Sequence, residues 1–319
     1  MYKDFNKEEN LFVDILRKQY DEVVLTEQPD FLFYGPFGTD HHKYNDCVKI
    51  FYTGEAIFPN FNECDYAIAF DRMEFGDRYL RRPIWLDEEY PVRDNLDDER
   101  LLERKFCNFV YSNDTKGEGA KIRKAFAKKL MKYKHVDCPG RVLNNMHEAA
   151  GDRLLDWRKN KVSFISQYKF TIAFENSAYD GYTTEKMTQP LSAHSVPIYW
   201  GNPSVTLDFN EDAFINANGY ESRLDELVEW IIDVDSNPQK YLQYVHANPM
   251  SDIYVNNEME RLEDYILHIA AKGNKPICKD PLDFARRMSV DNLSSPAWKA
   301  GALAIVLHPH ALRKLSAHI

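Results

Sequence analysis

A chain of 319 residues in which 44% of the side chains are apolar is long enough for two domains, each with its own core. Forty basic against 50 acidic residues leave a net charge of −10, which excludes a general nucleic-acid partner because phosphate backbones need a basic surface. Cys47, Cys64, Cys107, Cys138 and Cys278 are scattered, with no Cys-x-x-Cys pair, so reduced thiols are expected and not a disulfide framework.

The opening MYKDFNKEEN has no apolar centre, so no signal peptide is expected. The longest apolar patch, Ala302 to Leu307, is far too short to span a membrane, and a cytoplasmic protein is expected. Asn10 to Tyr20 places Leu11, Phe12, Ile15 and Leu16 on one helical face. Asp21 to Leu25, Asp30 to Tyr34, Lys49 to Tyr52 and Asp65 to Phe70 read as strands. The third of these delivers Thr53, Gly54 and Glu55 at its carboxyl end.

Asp87 to Glu103 is charged and aperiodic, as an interdomain connection would be. Lys105 to Ser112 opens a second α/β series, with a helix over Gly119 to Lys132 that puts Ile122, Phe126 and Leu130 on one side. Val162 to Ile165 leads into a strand from Tyr168 to Phe174. Val196 to Tyr199 and Ala213 to Ile215 are further strands, and Leu224 to Val234, Tyr241 to Asn248 and Glu258 to Ala271 are helices. Strands alternating with helices predict an α/β protein with mostly parallel sheets. After Asp291 the tail carries Lys299, Arg313 and Lys314 and no acid. A basic amphipathic tail fits an anionic membrane surface, and a helix packing back across the domains, interrupted at Pro309, fits the short apolar face better.

A strand ending in Glu175-Asn176 that feeds a loop toward a helix is where open α/β sheets bind ligands. Thr183-Thr184 is an N-cap signal, which puts Glu185 and Lys186 in the first helical turn. The exposed N–H groups there favour an anion, and the lysine adds a full charge. Glu185 cannot favour a phosphate, so sugar or ribose hydroxyls are its expected partners. The bland alternative is a routine first-turn acid beside a solvated lysine. Arg123 could grip phosphate oxygens with a bidentate fork, although composition alone fits a surface arginine among Lys121, Lys124, Lys128 and Lys129. Glu55, with Gly54 leaving room beside it, suits a general base near a hydroxyl, and a loop carboxylate in water fits the same residues. His41-His42 have no spaced acidic or cysteine partner, and Asp71 does not complete an Asp-x-Asp motif, so no metal site is expected. No GxGxxG, Walker loop or GxSxG is present.

The stretch Tyr168 to Val205, YKFTIAFENSAYDGYTTEKMTQPLSAHSVPIYWGNPSV, strongly resembles the signature of the bacterial α-1,3-fucosyltransferase family. FYTGE at 51–55, NFNECDYAIAFD at 60–71 and DRYLRRP at 77–83 resemble that family's acceptor-domain pattern, and KIRKAF at 121–126 resembles its donor-domain pattern. The resemblance implies a GT-B fold of two facing Rossmann-like domains with a deep cleft, with an acceptor-binding domain over 1–100, a donor-binding domain over 101–275 and a helical tail over 276–319. It implies transfer of L-fucose from GDP-β-L-fucose, with inversion, to O3 of N-acetylglucosamine or glucose in an oligosaccharide acceptor. Glu55 matches the family's proposed base. Arg123 and Lys186 match the residues that neutralise the diphosphate, and Glu185, Tyr182, Asn176 and Gly54 match its donor site. No cofactor or divalent metal is then required.

Family members open with a short strand ahead of the first helix. Met1 stands almost at that helix, so a first sheet without its opening strand is expected. The family's heptad repeats are missing, and the tail is a weak version of its basic amphipathic tail, so membrane contact is expected to be peripheral at most. Two rival readings keep the fold: a transferase for another nucleotide sugar, and a glycan-binding protein without catalysis.

Overall fold

The computed structural model describes residues 6–21, 23, 26–88, 91, 96–114, 117–146, 157–252 and 257–277. They fall into two compact units, the first drawn from within Met1–Phe51, Pro59–Ala67 and Ile269–Ile319, the second from within Tyr52–Phe58 and Ile68–His268.

The first unit begins with helix α1 (Leu11–Arg17), whose N-cap Asn10 accepts bonds from the Phe12 and Val13 N–H groups. The buried face is Phe12, Val13 and Ile15. Leu11 is exposed instead, because Val13 takes the inward position that the sequence pattern assigned to it. Phe12 stacks on Phe33 of β1 (Phe31–Tyr34), with ring centroids 4.7 Å apart. Strand β2 (Val48–Tyr52) runs parallel to β1, with Phe31 opposite Val48 and Tyr34 opposite Phe51. With β3 (Tyr66–Ala69) and β4 (Tyr79–Arg81) they line up in chain order in a four-stranded sheet. The buried carboxylate of Asp65 accepts from Lys49 N–H at 2.7 Å and from Ile277 N–H at 2.6 Å. That brings residue 277 back onto this unit.

Strand β4 was not anticipated: three residues in DRYLRRP are too few to show a period. The strand expected over Asp21 to Leu25 lies mostly outside the described residues, as does the tail beyond Ile277. The expected connection over Asp87 to Glu103 contains a short helix, α2 (Asp98–Leu102), capped by Asp97 and anchored by buried Leu101.

The second unit holds an all-parallel five-stranded sheet in the order β6-β5-β7-β8-β9. Its strands are β5 (Lys105–Asn108), β6 (Val136–Asp137), β7 (Tyr168–Phe174), β8 (Val196–Trp200) and β9 (Ile215–Asn216). The helices are α3 (Glu118–Leu130), α4 (Trp157–Ile165), α5 (Glu185–Ser192), α6 (Leu224–Ser236), α7 (Pro238–His246) and α8 (Glu258–Ala271). Side chains alternate along a strand, and the sheet uses both faces. Phe170, Ile172, Phe174, Val196, Ile198 and Trp200 pack with Phe126 and Leu130 of α3 and with Leu227 and Ile231 of α6. Ala173 and Tyr199, on the opposite face, pack with Met187 and Leu191 of α5 and with Phe209. Burial on both faces is why β7 reads as a continuous apolar run.

Among the described residues no helix is long and apolar enough to cross a membrane. Cys47, Cys64, Cys107 and Cys138 are buried free thiols, and Cys278 lies outside the described residues.

Candidate active site

Strand order reverses between β5 and β7: β6 lies on one side of β5, while β7, β8 and β9 extend from the other. A crevice at the carboxyl ends of such strands is the usual ligand position in an open parallel sheet. Here β7 is followed directly by Glu175, which is fully buried. Its carboxylate accepts from Thr184 N–H at 2.8 Å and from the Thr184 hydroxyl at 2.9 Å.

Thr184 caps α5, as expected, and starts Glu185 and Lys186 on the first helical turn. Lys186 is not a solvated surface charge. Its Nζ lies 3.1 Å from Glu175 Oε2 and 3.4 Å from Glu185 Oε1, and it donates to Thr184 Oγ1 at 3.0 Å. Burial alone would lower the ammonium's pKa, but the neighbouring carboxylates of Glu175 and Glu185 outweigh it and hold the group well above the ordinary lysine value. Burial raises the Glu175 carboxyl above its usual range, against the opposing charge of Lys186. Glu185 moves the other way. Burial would raise it, but Lys186 and Lys161 together bring it down to about 2. Lys161, on α4, stands 4.0 Å from Glu185.

Arg123 is not a surface arginine either. It is 1% exposed, and its guanidinium lies over the Tyr111 ring at 4.1 Å. One terminal nitrogen donates to Asn176 Oδ1 at 2.7 Å, and the other donates to the Asn113 carbonyl. The fork expected to grip phosphate is thus closed on the chain's own acceptors, while Nε is buried without a partner. Burial lowers its pKa, against the raising influence of Tyr111 and Glu175. Lys186 thus contacts the Glu175 carboxylate directly, and Arg123, held on the flanking Asn176, feels its charge.

Close backbone approach makes this possible. A Cβ on Gly119 would lie 2.0 Å from the Glu175 carbonyl, and one on Gly117 would lie 2.1 Å from the Asn176 carbonyl. These glycines let the start of α3 sit against the end of β7, which brings Arg123 to Asn176.

The loop between β7 and α5 is pinned by buried Asn202. Its Oδ1 accepts from Gly181 N–H at 2.8 Å, and its Nδ2 donates to Thr183 Oγ1 at 3.1 Å. Tyr182 is buried and meets Phe70 edge to face at 5.1 Å. Its phenol pKa is raised by burial and by the charges of Glu175 and Glu55.

The charge of Glu55 thus reaches Tyr182 in the loop that leads into α5. Glu55 follows β2, with Gly54 buried and Glu55 itself half-buried. Thr53 Oγ1 accepts from Glu55 N–H at 2.9 Å, and the Glu55 carbonyl accepts from Ile57 N–H at 2.7 Å. Among the described residues no cation pairs with its carboxylate.

Glu175 and Lys161 join the site in addition to the residues expected from the sequence. The signal for Glu175 was present, since an acid closing an otherwise apolar buried strand must find a partner. Nothing local marks Lys161. His41 and His42 do have an acidic partner, contrary to expectation: Glu63 lies 3.3 Å from each imidazole. The partner comes from a separate loop, which spacing along the chain could not reveal.

Comparison with known proteins places this geometry. Residues 1–87 match the alpha-(1,3)-fucosyltransferase FucT N-terminal domain, and residues 102–279 match the C-terminal part of glycosyltransferase family 10 (fucosyltransferase). Alpha-(1,3)-fucosyltransferase FucT of Helicobacter pylori is 33% identical over 281 residues, which is 75% of this chain and 56% of that protein. GDP-fucose protein O-fucosyltransferase 3 of Homo sapiens is 36% identical over 160 residues, 47% of this chain and 32% of that protein. The chain spans about half the length or less of these curated relatives. A solved α1,3-fucosyltransferase structure superposes with a TM-score of 0.69 at 29% identity, covering 83% of this chain and 85% of that one. A second, with GDP-fucose, gives 0.65 at 29% identity over 81% and 83%. By the family match over both parts of the sequence, the chain belongs to glycosyltransferase family 10, the fucosyltransferases.

Proposed function

We propose that this chain is an inverting α-1,3-fucosyltransferase that moves L-fucose from GDP-β-L-fucose to O3 of N-acetylglucosamine or glucose in an oligosaccharide acceptor. The observation that carries the reading is a pair of cations at the topological switch point: Lys186 against the buried carboxylate of Glu175, and buried Arg123 on the neighbouring Asn176. Family membership and the likeness to a fucosyltransferase solved with GDP-fucose support it.

In the proposed reaction Glu55 takes the proton from the acceptor hydroxyl, and that oxygen attacks the anomeric carbon as the bond to GDP breaks on the opposite face. A base needs only to be ionised and within hydrogen-bond reach of the attacking oxygen, and a half-buried carboxylate that pairs with no cation among the described residues suits that role. Lys186 meets the charge that develops on the leaving diphosphate. Arg123 contributes its field and holds Asn176, since its terminal nitrogens are already engaged. Such charges, fixed before the reaction begins, lose nothing to reorganisation. Asn176, Tyr182, Glu185 and Gly54 line the donor side. The protein's own cations meet the leaving charge, so no divalent metal is required, and activity should survive EDTA. Residues 1–100 serve the acceptor and 101–275 the donor.

The test is to incubate the chain with GDP-fucose and lactose or N-acetyllactosamine, follow GDP release and assign the product linkage by NMR. Acceptor-dependent GDP release with an α-1,3-linked fucose is expected. Release from a different sugar nucleotide alone, or glycan binding with no release from any donor, would overturn the assignment.

A further inference from the structure

A second cluster of ligating side chains lies in the first unit, and none of its members has a part in the reaction above. His41 and His42 occupy the 3₁₀ turn Asp40–Lys43 that follows β1. Glu63 lies in the turn that precedes β3. Both Nε2 atoms stand 3.3 Å from the same carboxylate oxygen, Glu63 Oε2. One ligand atom from each residue lies within 4.8 Å of the others.

Zinc binds imidazole nitrogen at ~2.0–2.1 Å and carboxylate oxygen at ~2.0–2.2 Å. Two such bonds at a tetrahedral angle separate the donor atoms by roughly 3.3–3.5 Å. Each nitrogen–oxygen pair here is already spaced as one edge of that tetrahedron.

Successive residues on a 3₁₀ turn point about 120° apart, so local geometry does not by itself aim adjacent histidines at one point. Tertiary contacts do it. Tyr34 of β1 stacks on the His41 ring with centroids 4.2 Å apart, and the two imidazoles meet edge to face at 4.1 Å. Asn60 Nδ2 donates to Glu63 Oε1 at 2.9 Å, which occupies one carboxylate oxygen and leaves the other for the imidazoles. Partners of this kind orient the ligands of a metal centre. The His41 side chain is 9% exposed and that of His42 49% exposed, so one side is anchored while the other is open to an entering ion and to water.

We propose that His41, His42 and Glu63 form a binding site for a zinc-class divalent cation, with water completing the coordination. Two imidazoles and one carboxylate favour such borderline metals over magnesium or calcium, which prefer all-oxygen sites. A bound ion would fasten the turn after β1 to the turn before β3. The rival account is a pair of imidazoles sharing one carboxylate as hydrogen-bond acceptor, with no affinity for an ion.

The full chain, stripped with a chelator, would be titrated with zinc by calorimetry and with cobalt(II) as an absorption probe. The same titrations on Glu63→Gln and His42→Gln complete the experiment. Both altered side chains are partly exposed, so both variants should fold without metal, as circular dichroism and a thermal melt would check. The expected result is one zinc per chain, visible cobalt bands of a four-coordinate site, and a zinc-induced rise in Tm in the unaltered protein. Each variant should bind at least ten-fold more weakly. Absence of saturable zinc binding would overturn the proposal, and so would unchanged affinity in both variants.

Discussion

Lys186, in the first turn of α5, and Glu55, in the loop after β2, are the two charged side chains of the proposed reaction, yet their settings are built in opposite ways. Lys186 is enclosed by two carboxylates and a threonine hydroxyl, and the carboxylate it touches is fully buried and bonded to Thr184. Glu55 is half-buried and positioned through its backbone by Thr53. The first arrangement fixes a charge in a site of low dielectric before any ligand arrives, where it acts most strongly. In the second, no cation among the described residues occupies the carboxylate, so its oxygens are open to an acceptor hydroxyl. An anion-stabilising group benefits from being over-determined, and a base benefits from being left unpaired.

The most severe way to break this contrast is Lys186→Ala. It strands the buried Glu175 carboxylate without its cation, a loss that costs about 3–5 kcal/mol. Transfer should also fall by on the order of 10²–10³. Urea denaturation, GDP calorimetry and the transfer assay together check this, and unchanged GDP affinity would remove Lys186 from the phosphate role. Adding Glu175→Gln to that variant should recover stability without recovering transfer, which sharpens the separation between holding the fold and meeting the leaving group.

Glu55→Gln should show the reverse pattern. Transfer should drop by roughly 10²–10⁴, the usual contribution of a positioned base, while the melting temperature and GDP-fucose affinity stay put. Near-normal transfer in this variant would take Glu55 out of the base role.

Glu185→Gln should have the smallest effect, and one that depends on pH. Glu185 titrates at about 2 in the folded protein, below the ordinary glutamate value of 4.5, despite burial, because of Lys186 and Lys161. A lowered carboxylate pKa adds stability that is present above the unfolded value and is lost as pH falls through the folded one. The gap in unfolding free energy between the two proteins, measured by urea denaturation and about 1–3 kcal/mol near neutrality, should therefore close as pH falls from about 4.5 toward about 2. A gap that is constant with pH would mean that the pairing contributes nothing to folding.

The parallel sheet was largely legible in the sequence. YKFTIAF and VPIYW are apolar without a break because both faces of β7 and β8 are covered, and such runs leave few alternatives. The Thr184 cap and the first-turn placement of Glu185 and Lys186 were readable because capping is local. Arg123 was less so. Flanked by lysines, it looks like a surface residue, and it is the glycines at 117 and 119 that let α3 approach β7 closely enough to bury it. The partnership of His41 and His42 with Glu63 was invisible for the same reason: its members come from different loops.

The order of residues alone thus determined what depends on nearest neighbours: alternating strands and helices, the helix cap, and a set of motifs specific enough to point to a family. Which charges are buried, and against what, was decided by the folded chain. Burial turns a carboxylate at the end of one strand, an arginine on one helix and a lysine on another into a single electrostatic unit. The energy of that unit depends on distance and on the exclusion of water, and neither quantity exists until the chain has packed.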